Sequence, residues 1–192
     1  MARIGIILGS TRPNRTGEQI ATWVLEHASQ RNDANDYELI DLRDYDLPNY
    51  DEPIPAGAHQ YQNEHTKRWA EKIDSFDGFV IVTPEYNHGV PGVLKNALDF
   101  VYAEWNNKSV GFVSYGFALG VRAVEHLRQI VGHLQMADVG QTVSLSMVTE
   151  FENMQTFAPN DHTVSTLHTM LDQLNDWTGA LMPLRNRVAV AV

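Results

Sequence analysis

Short runs of β-branched and other apolar residues alternate along the chain with longer stretches in which apolar residues recur every third or fourth position. Residues 4–8 form an apolar run with no polar face, which predicts a strand buried on both sides. Residues 18–29 place Ile20, Val24 and Ala28 on one face of a helix. A second strand is predicted at 37–42, followed by loop-like residues 43–60 carrying Pro48, Pro53, Pro55 and Gly57. Then come a helix at 63–76 with Trp69, Ile73 and Phe76, a continuously apolar strand at 78–83, and a helix at 90–103 that Pro91 can start. The remainder reads as a strand at 108–115, a helix at 119–134, a strand at 139–147 and a last helix at 164–181.

Five strands thus alternate with five helices, the pattern of a parallel sheet covered by helices on both faces, an α/β fold. The last strand alternates apolar Val143, Leu145 and Met147 with polar neighbours, as an edge strand does. No repeat, linker or second apolar core interrupts the pattern, so one domain spanning 1–192 is expected. Ligands of open α/β sheets bind beyond the carboxyl ends of the strands, which directs attention to residues 9–17, 84–91 and 115–120.

Charge narrows the partners. The 192 residues hold 14 Lys and Arg against 24 Asp and Glu, a net charge of −10, which argues against binding nucleic acid or an anionic membrane. There is no cysteine, which excludes disulfides, thiolate metal sites and thiol nucleophiles. The eight histidines are scattered and form no metal-binding pattern; His162 and His168 read as solvated surface. The opening apolar run is too short for a signal peptide, and no stretch approaches the roughly 18 apolar residues of a membrane span. A cytoplasmic protein is therefore expected.

Within the acidic chain, Arg3, Arg12 and Arg15 precede the first acid, Glu18. The loop Gly9-Ser10-Thr11-Arg12-Pro13-Asn14-Arg15-Thr16-Gly17 leads from the first strand into a helix. Thr16 and Gln19 have capping-box spacing. Such residues also make ordinary polar turns. Two arginines beside a helix N-terminus, however, repel its dipole unless an anion joins them, so the loop is a candidate phosphate cradle. The glycine fingerprints of dinucleotide and triphosphate loops are both absent, and Asp41, placed as a ribose-binding acid would be, is discounted without them.

The loop after the third strand reads Pro84-Glu85-Tyr86-Asn87-His88-Gly89-Val90-Pro91, stiff yet open to close approach of a flat ligand. Together, Gly9-Ser10-x-Arg12, Pro84-Glu85-Tyr86-Asn87 and Pro91-x-x-Leu94-Lys95-Asn96-Ala97-x-Asp99 make the chain resemble the NADPH-dependent FMN reductases, over about residues 3–150. That family includes quinone, azo-dye and chromate reductases.

The resemblance implies a flavodoxin-like three-layer sandwich with strand order 2-1-3-4-5. It implies FMN as cofactor and NADPH or NADH as co-substrate. Ser10, Thr11, Arg12, Arg15, Thr16 and Gly17 would bind the FMN phosphate, although relatives often have Ser where this chain has Arg15. Pro84, Glu85, Tyr86 and Asn87 would lie along the ring and ribityl chain, and Ser114, Tyr115 and Gly116 at its pyrimidine edge. Relatives often carry a further Gly at the position of Val121. The implied reaction passes hydride from the nicotinamide to flavin and then two electrons to a small-molecule acceptor such as a quinone, free flavin or azo compound, with no catalytic side chain required. A homodimer or homotetramer is also implied. His88, a lone loop histidine, is read as surface or interface more readily than as an acid–base group. Two other readings stay open: a flavodoxin-like electron carrier without enzymatic activity, and a fold relative without flavin that serves as an interaction module.

Overall fold

The computed structural model describes residues 1–188, so the expected single domain runs four residues, 189–192, past the described part. Five strands, β1 (Arg3–Leu8), β2 (Asp36–Asp41), β3 (Gly78–Pro84), β4 (Ser109–Gly116) and β5 (Ala137–Ser146), form one sheet in the order β2-β1-β3-β4-β5. Every neighbouring pair is parallel. This is the flavodoxin-like order, with the turning point between β1 and β3.

The period of two within each strand divides the core. Ile4, Ile6, Leu8, Val80, Val82 and Val113 face α1 (Gly17–Ser29) and α5 (Asp161–Val188). Ile7, Ile40, Phe79, Ile81 and Phe112 face α2 (Glu64–Asp74), α3 (Gly92–Asp99) and α4 (Val121–His133). β3 is buried along its whole length, as its unbroken apolar run predicts, and β5 lies at the edge.

Three elements depart from the hydrophobic pattern. Instead of running to 103, α3 ends at Asp99 and the chain re-forms as a short 3-10 turn at Ala103–Trp105. An unbroken helix would spread Phe100 and Trp105 around its circumference. The break buries both in one core and lets the Trp105 indole donate to the Leu98 carbonyl at 3.2 Å. α5 begins three residues early, where the Asn160 side chain accepts from Thr163 N–H at 3.0 Å. It also continues past Pro183. Finally, the β5–α5 connection holds a hairpin, β6 (Phe151–Glu152) and β7 (Thr156–Phe157), that no apolar alternation announces.

At the opposite end of the sheet from the candidate loops, Lys108 is fully buried and donates to the carbonyls of Ile73 (2.7 Å) and Asp74 (3.2 Å) at the end of α2. A cation there complements the helix dipole. Desolvation nevertheless holds its pKa down at about 8.

Candidate functional site

The parallel register brings Leu8, Val82, Val113 and Val143 level across the sheet, so the loops that follow β1, β3 and β4 open side by side. The first loop leaves β1 with Gly9 N–H still bonded to the Val82 carbonyl at 2.8 Å. Ser10 is then fully buried, and its hydroxyl lies 2.8 Å from the Tyr86 hydroxyl. The N–H groups of Thr11, Asn14, Arg15 and Thr16 have no acceptor among the described residues.

The two loop arginines are placed differently. Arg12 is exposed, and its guanidinium has no partner among the described residues. Arg15 is buried beneath the loop, bonding Asp41 Oδ1 at 2.9 Å, Glu18 Oε1 at 3.0 Å and the Ser10 carbonyl. Burial alone would lower the Arg15 pKa; the carboxylates of Asp41 and Glu18 reverse that and raise it. For Asp41, burial pushes upward and Arg15 more than offsets it, leaving the carboxyl below its ordinary range. The acid discounted from the sequence is thus the counterion of a loop arginine. Arg43 adds an outer brace, donating to the carbonyls of Arg12 (2.8 Å) and Thr11 (3.3 Å).

The expected Thr16–Gln19 capping box does not form. Thr16 is already in helical conformation and makes no side-chain cap bond, while the Gln19 side chain is taken up by Gln155 and Phe157. The Tyr115 hydroxyl packs directly against Gly17, the first residue of α1. A Cβ on Gly17 would stand 2.6 Å from that hydroxyl, so the close approach requires glycine. Tyr115 is buried, which pushes its pKa up and keeps the hydroxyl protonated.

The second loop is a tight turn. Tyr86 and Gly89 exchange N–H···O bonds of 3.1 Å, and Asn87 (φ 49°) and His88 (φ 72°) both adopt the left-handed conformation that such two-residue turns demand. Asn87 and His88 are exposed, with the His88 ring 6.5 Å from that of His126. Pro84 is buried at the end of β3. The Glu85 N–H bonds the Tyr115 carbonyl at 3.2 Å. The buried Glu85 carboxylate pairs with the Arg122 guanidinium and accepts the Arg122 N–H at 3.2 Å.

In the third loop, Ser114 Oγ donates to the Leu119 carbonyl at 2.8 Å and fixes the turn. Gly120 has φ 70° and leaves no room for a side chain: a Cβ would stand 2.7 Å from the Ser114 Cβ. The N–H groups of Phe117 and Ala118 have no acceptor among the described residues. Phe117 is 78% exposed, and Leu119 and Val121 are exposed beside it.

All thirteen residues singled out from the sequence therefore fall on three loops and the ends of β3, β4 and α1 that flank them, joined by direct contacts: Ser10 to Tyr86, Gly17 to Tyr115, and Glu85 to Tyr115. Arg43 and Arg122 carry the arrangement without a signal in the sequence, and Gln19 does so in a role other than the expected cap. Each works through a partner distant in sequence, which no local spacing reveals.

Unpartnered loop N–H groups, hydroxyls of Thr11 and Thr16, a free Arg12 and a helix N-terminus form a donor set suited to a phosphate monoester. The open donors after Gly116 suit the polar edge of a flat ring, and Tyr86 offers an exposed aromatic face between them. A phosphorylated flavin fits this combination. Among the described residues no group of side chains could hold a metal ion, and no helix is long and apolar enough to cross a membrane.

Residues 2–150 match the family model of NADPH-dependent FMN reductases. An NAD(P)H-dependent FMN reductase of Schizosaccharomyces pombe is 47% identical over 136 residues, 70% of this chain and 68% of that protein. A quinone reductase of Pseudomonas putida is 30% identical over 188 residues, covering 91% of this chain and 93% of that one. Among solved structures, the flavoenzyme NAD(P)H:acceptor oxidoreductase FerB of Paracoccus denitrificans superposes with a TM-score of 0.72 at 20% identity, over 94% of this chain and 99% of its own.

Proposed function

Because the chain belongs to the NADPH-dependent FMN reductase family, we propose the following reading of its site. The protein is an FMN-dependent NAD(P)H oxidoreductase. Bound FMN supplies the chemistry, taking hydride from the nicotinamide and passing two electrons to the acceptor.

The chain's residues bind and orient. Ser10, Thr11, Arg12, Thr16 and Gly17 surround the phosphate, with Arg12 as its counter-charge. Arg15, committed to Asp41 and Glu18, sets the loop's shape from below. Pro84, Glu85, Tyr86 and Asn87 line the ring and ribityl chain. Ser114, Tyr115 and Gly116 form the pyrimidine side, where the N–H groups of Phe117 and Ala118 stabilise negative charge on the ring. His88 lies at the exposed rim and has no catalytic role in this scheme.

The observation that carries the reading is the joining of these loops at one end of the sheet, with donors left open. The whole chain, 1–192, acts as one FMN-binding domain. Exposed Phe117, Leu119 and Val121 beside the site support assembly as a homodimer or homotetramer, the form that covers them. A cytoplasmic location follows from dependence on an intracellular nicotinamide pool. The physiological acceptor is a small quinone, free flavin or azo compound.

The test is a flavin spectrum of the purified protein, followed by anaerobic addition of NADPH and NADH and then a quinone. Bleaching by a nicotinamide and recovery with quinone is the expected result. A yellow protein that neither nicotinamide reduces is an electron carrier; a protein that takes up no FMN is not a flavoprotein.

A further inference from the structure

We infer that the β6–β7 hairpin acts through Gln19 as a positioning element for the phosphate end of the flavin site. This rests on the flavin reading above. The hairpin begins just beyond residues 2–150, the stretch matched to the family model.

Gln19 stands on the first turn of α1, two residues after Gly17. Its side chain is exposed to solvent yet engaged through both its nitrogen and its oxygen: Nε2 donates to the Gln155 carbonyl at 2.8 Å, and Oε1 accepts the Phe157 N–H at 2.9 Å. A glutamine that spans to two backbone groups 136 and 138 positions away clamps the start of α1 to the hairpin.

The hairpin is itself held from several sides. Phe157 packs edge-on against Trp23 of α1, with ring centres 5.2 Å apart, and tilted against Phe151 at 5.2 Å. Buried Glu150 accepts from Ser146 N–H at 2.8 Å and from the Thr149 hydroxyl at 2.6 Å, and its carbonyl accepts Ala158 N–H at 2.8 Å. At its start the connection touches the third loop, where Met147 N–H meets the Gly116 carbonyl at 3.4 Å. The segment 147–158 therefore bridges the loop beside the ring and the helix end beside the phosphate.

Anion binding by a helix end depends on where its first N–H groups point. Thr16 supplies no side-chain cap to fix that turn, so the clamp on Gln19 does so from outside.

The test compares FMN with riboflavin, which has the same ring and lacks the phosphate, by fluorescence titration of wild type and Gln19→Ala. Gln19 is exposed, and near-UV circular dichroism checks that the variant keeps its fold. Loss of two hydrogen bonds should weaken FMN binding about five- to tenfold. Riboflavin affinity should stay within about twofold, because it makes no phosphate contact. Amide exchange at Glu18 and Gln19 should accelerate in the variant. An unchanged FMN-to-riboflavin ratio overturns the proposal, as does equal weakening of both flavins. A wild-type protein that binds neither flavin is a different result: it removes the flavin reading itself.

Discussion

The carboxylate of Glu85, at the end of β3, caps the N-terminus of α4 from a neighbouring loop: it accepts the Arg122 N–H at 3.2 Å and pairs with the Arg122 guanidinium. Burial pushes the Glu85 carboxyl upward, and Arg122 more than reverses this, leaving it below its ordinary range. One ion pair thus locks the second and third loops of the site together. Arg122→Ala should leave a buried charge with half its partners. Because the arginine side chain is 42% exposed, the cost should fall well below that of a fully buried pair, at about 1–2 kcal/mol. FMN affinity should fall in parallel. Glu85→Gln, which still accepts the N–H, should lose less. Urea midpoints and flavin titrations check both.

Two arginines three residues apart in one loop should behave as opposites. Arg12→Ala removes an exposed cation with no partner among the described residues. It should leave stability within about 0.5 kcal/mol and weaken FMN about tenfold, by losing a charge-assisted bond to phosphate. Arg15→Ala removes the buried guanidinium that bonds the Ser10 carbonyl and Asp41, leaving Asp41 half-buried with only the Arg43 N–H. It should cost about 3 kcal/mol of stability, whether or not flavin is present. Thermal melts of apo and flavin-loaded protein separate the two. An Arg12 variant that keeps its FMN affinity would remove the phosphate assignment.

The contact of Gly17 with Tyr115 gives a paired test. Gly17→Ala drives a methyl into the Tyr115 hydroxyl, 2.6 Å away, and against Leu8 Cδ1 at 3.0 Å. Overpacking of this kind should cost about 1–3 kcal/mol and distort the first turn of α1. Tyr115→Phe vacates the space and removes one buried hydroxyl, so alone it should cost about 1 kcal/mol or less. Combined, the two substitutions should be less harmful than their sum, measured as a double-mutant cycle on stability and on FMN affinity.

These contacts also mark what the amino-acid order conveys and what it withholds. Strand positions were legible because burial on both faces demands unbroken apolar runs such as 79–82, and the three loops were legible because Gly, Pro and Arg cluster there. The roles inside the loops were less so. Arg12 and Arg15 look alike in the sequence, yet only the fold brings Asp41 under one of them. Thr16 and Gln19 have the spacing of a local cap, but a hairpin more than 130 residues downstream competes for the glutamine and wins both of its bonds. The hairpin leaves no mark in the sequence because two-residue strands are too short to show a period.

His168 departs from its solvated-surface reading in a way that makes stability depend on pH. Its Nδ1 lies 3.3 Å from Arg31 Nη1, and its ring packs edge-on at 5.6 Å against His27, which in turn packs against Trp23 at 5.3 Å. The cluster joins the end of α1 to α5. Desolvation, and then the charge of His168, lower the His27 pKa below the ordinary 6.5; Glu26 opposes them weakly. The unfolded chain therefore takes up a proton near pH 6.5 that the folded chain refuses. The contribution of His27 to stability is full above that pH and is lost as pH falls from there to the lower folded value. Melting temperatures of wild type should fall between pH 7.5 and pH 5 more steeply than those of His27→Gln, which keeps a polar side chain of similar reach without the titration. Equal slopes in the two proteins would show that the α1–α5 junction takes no part in the acid response.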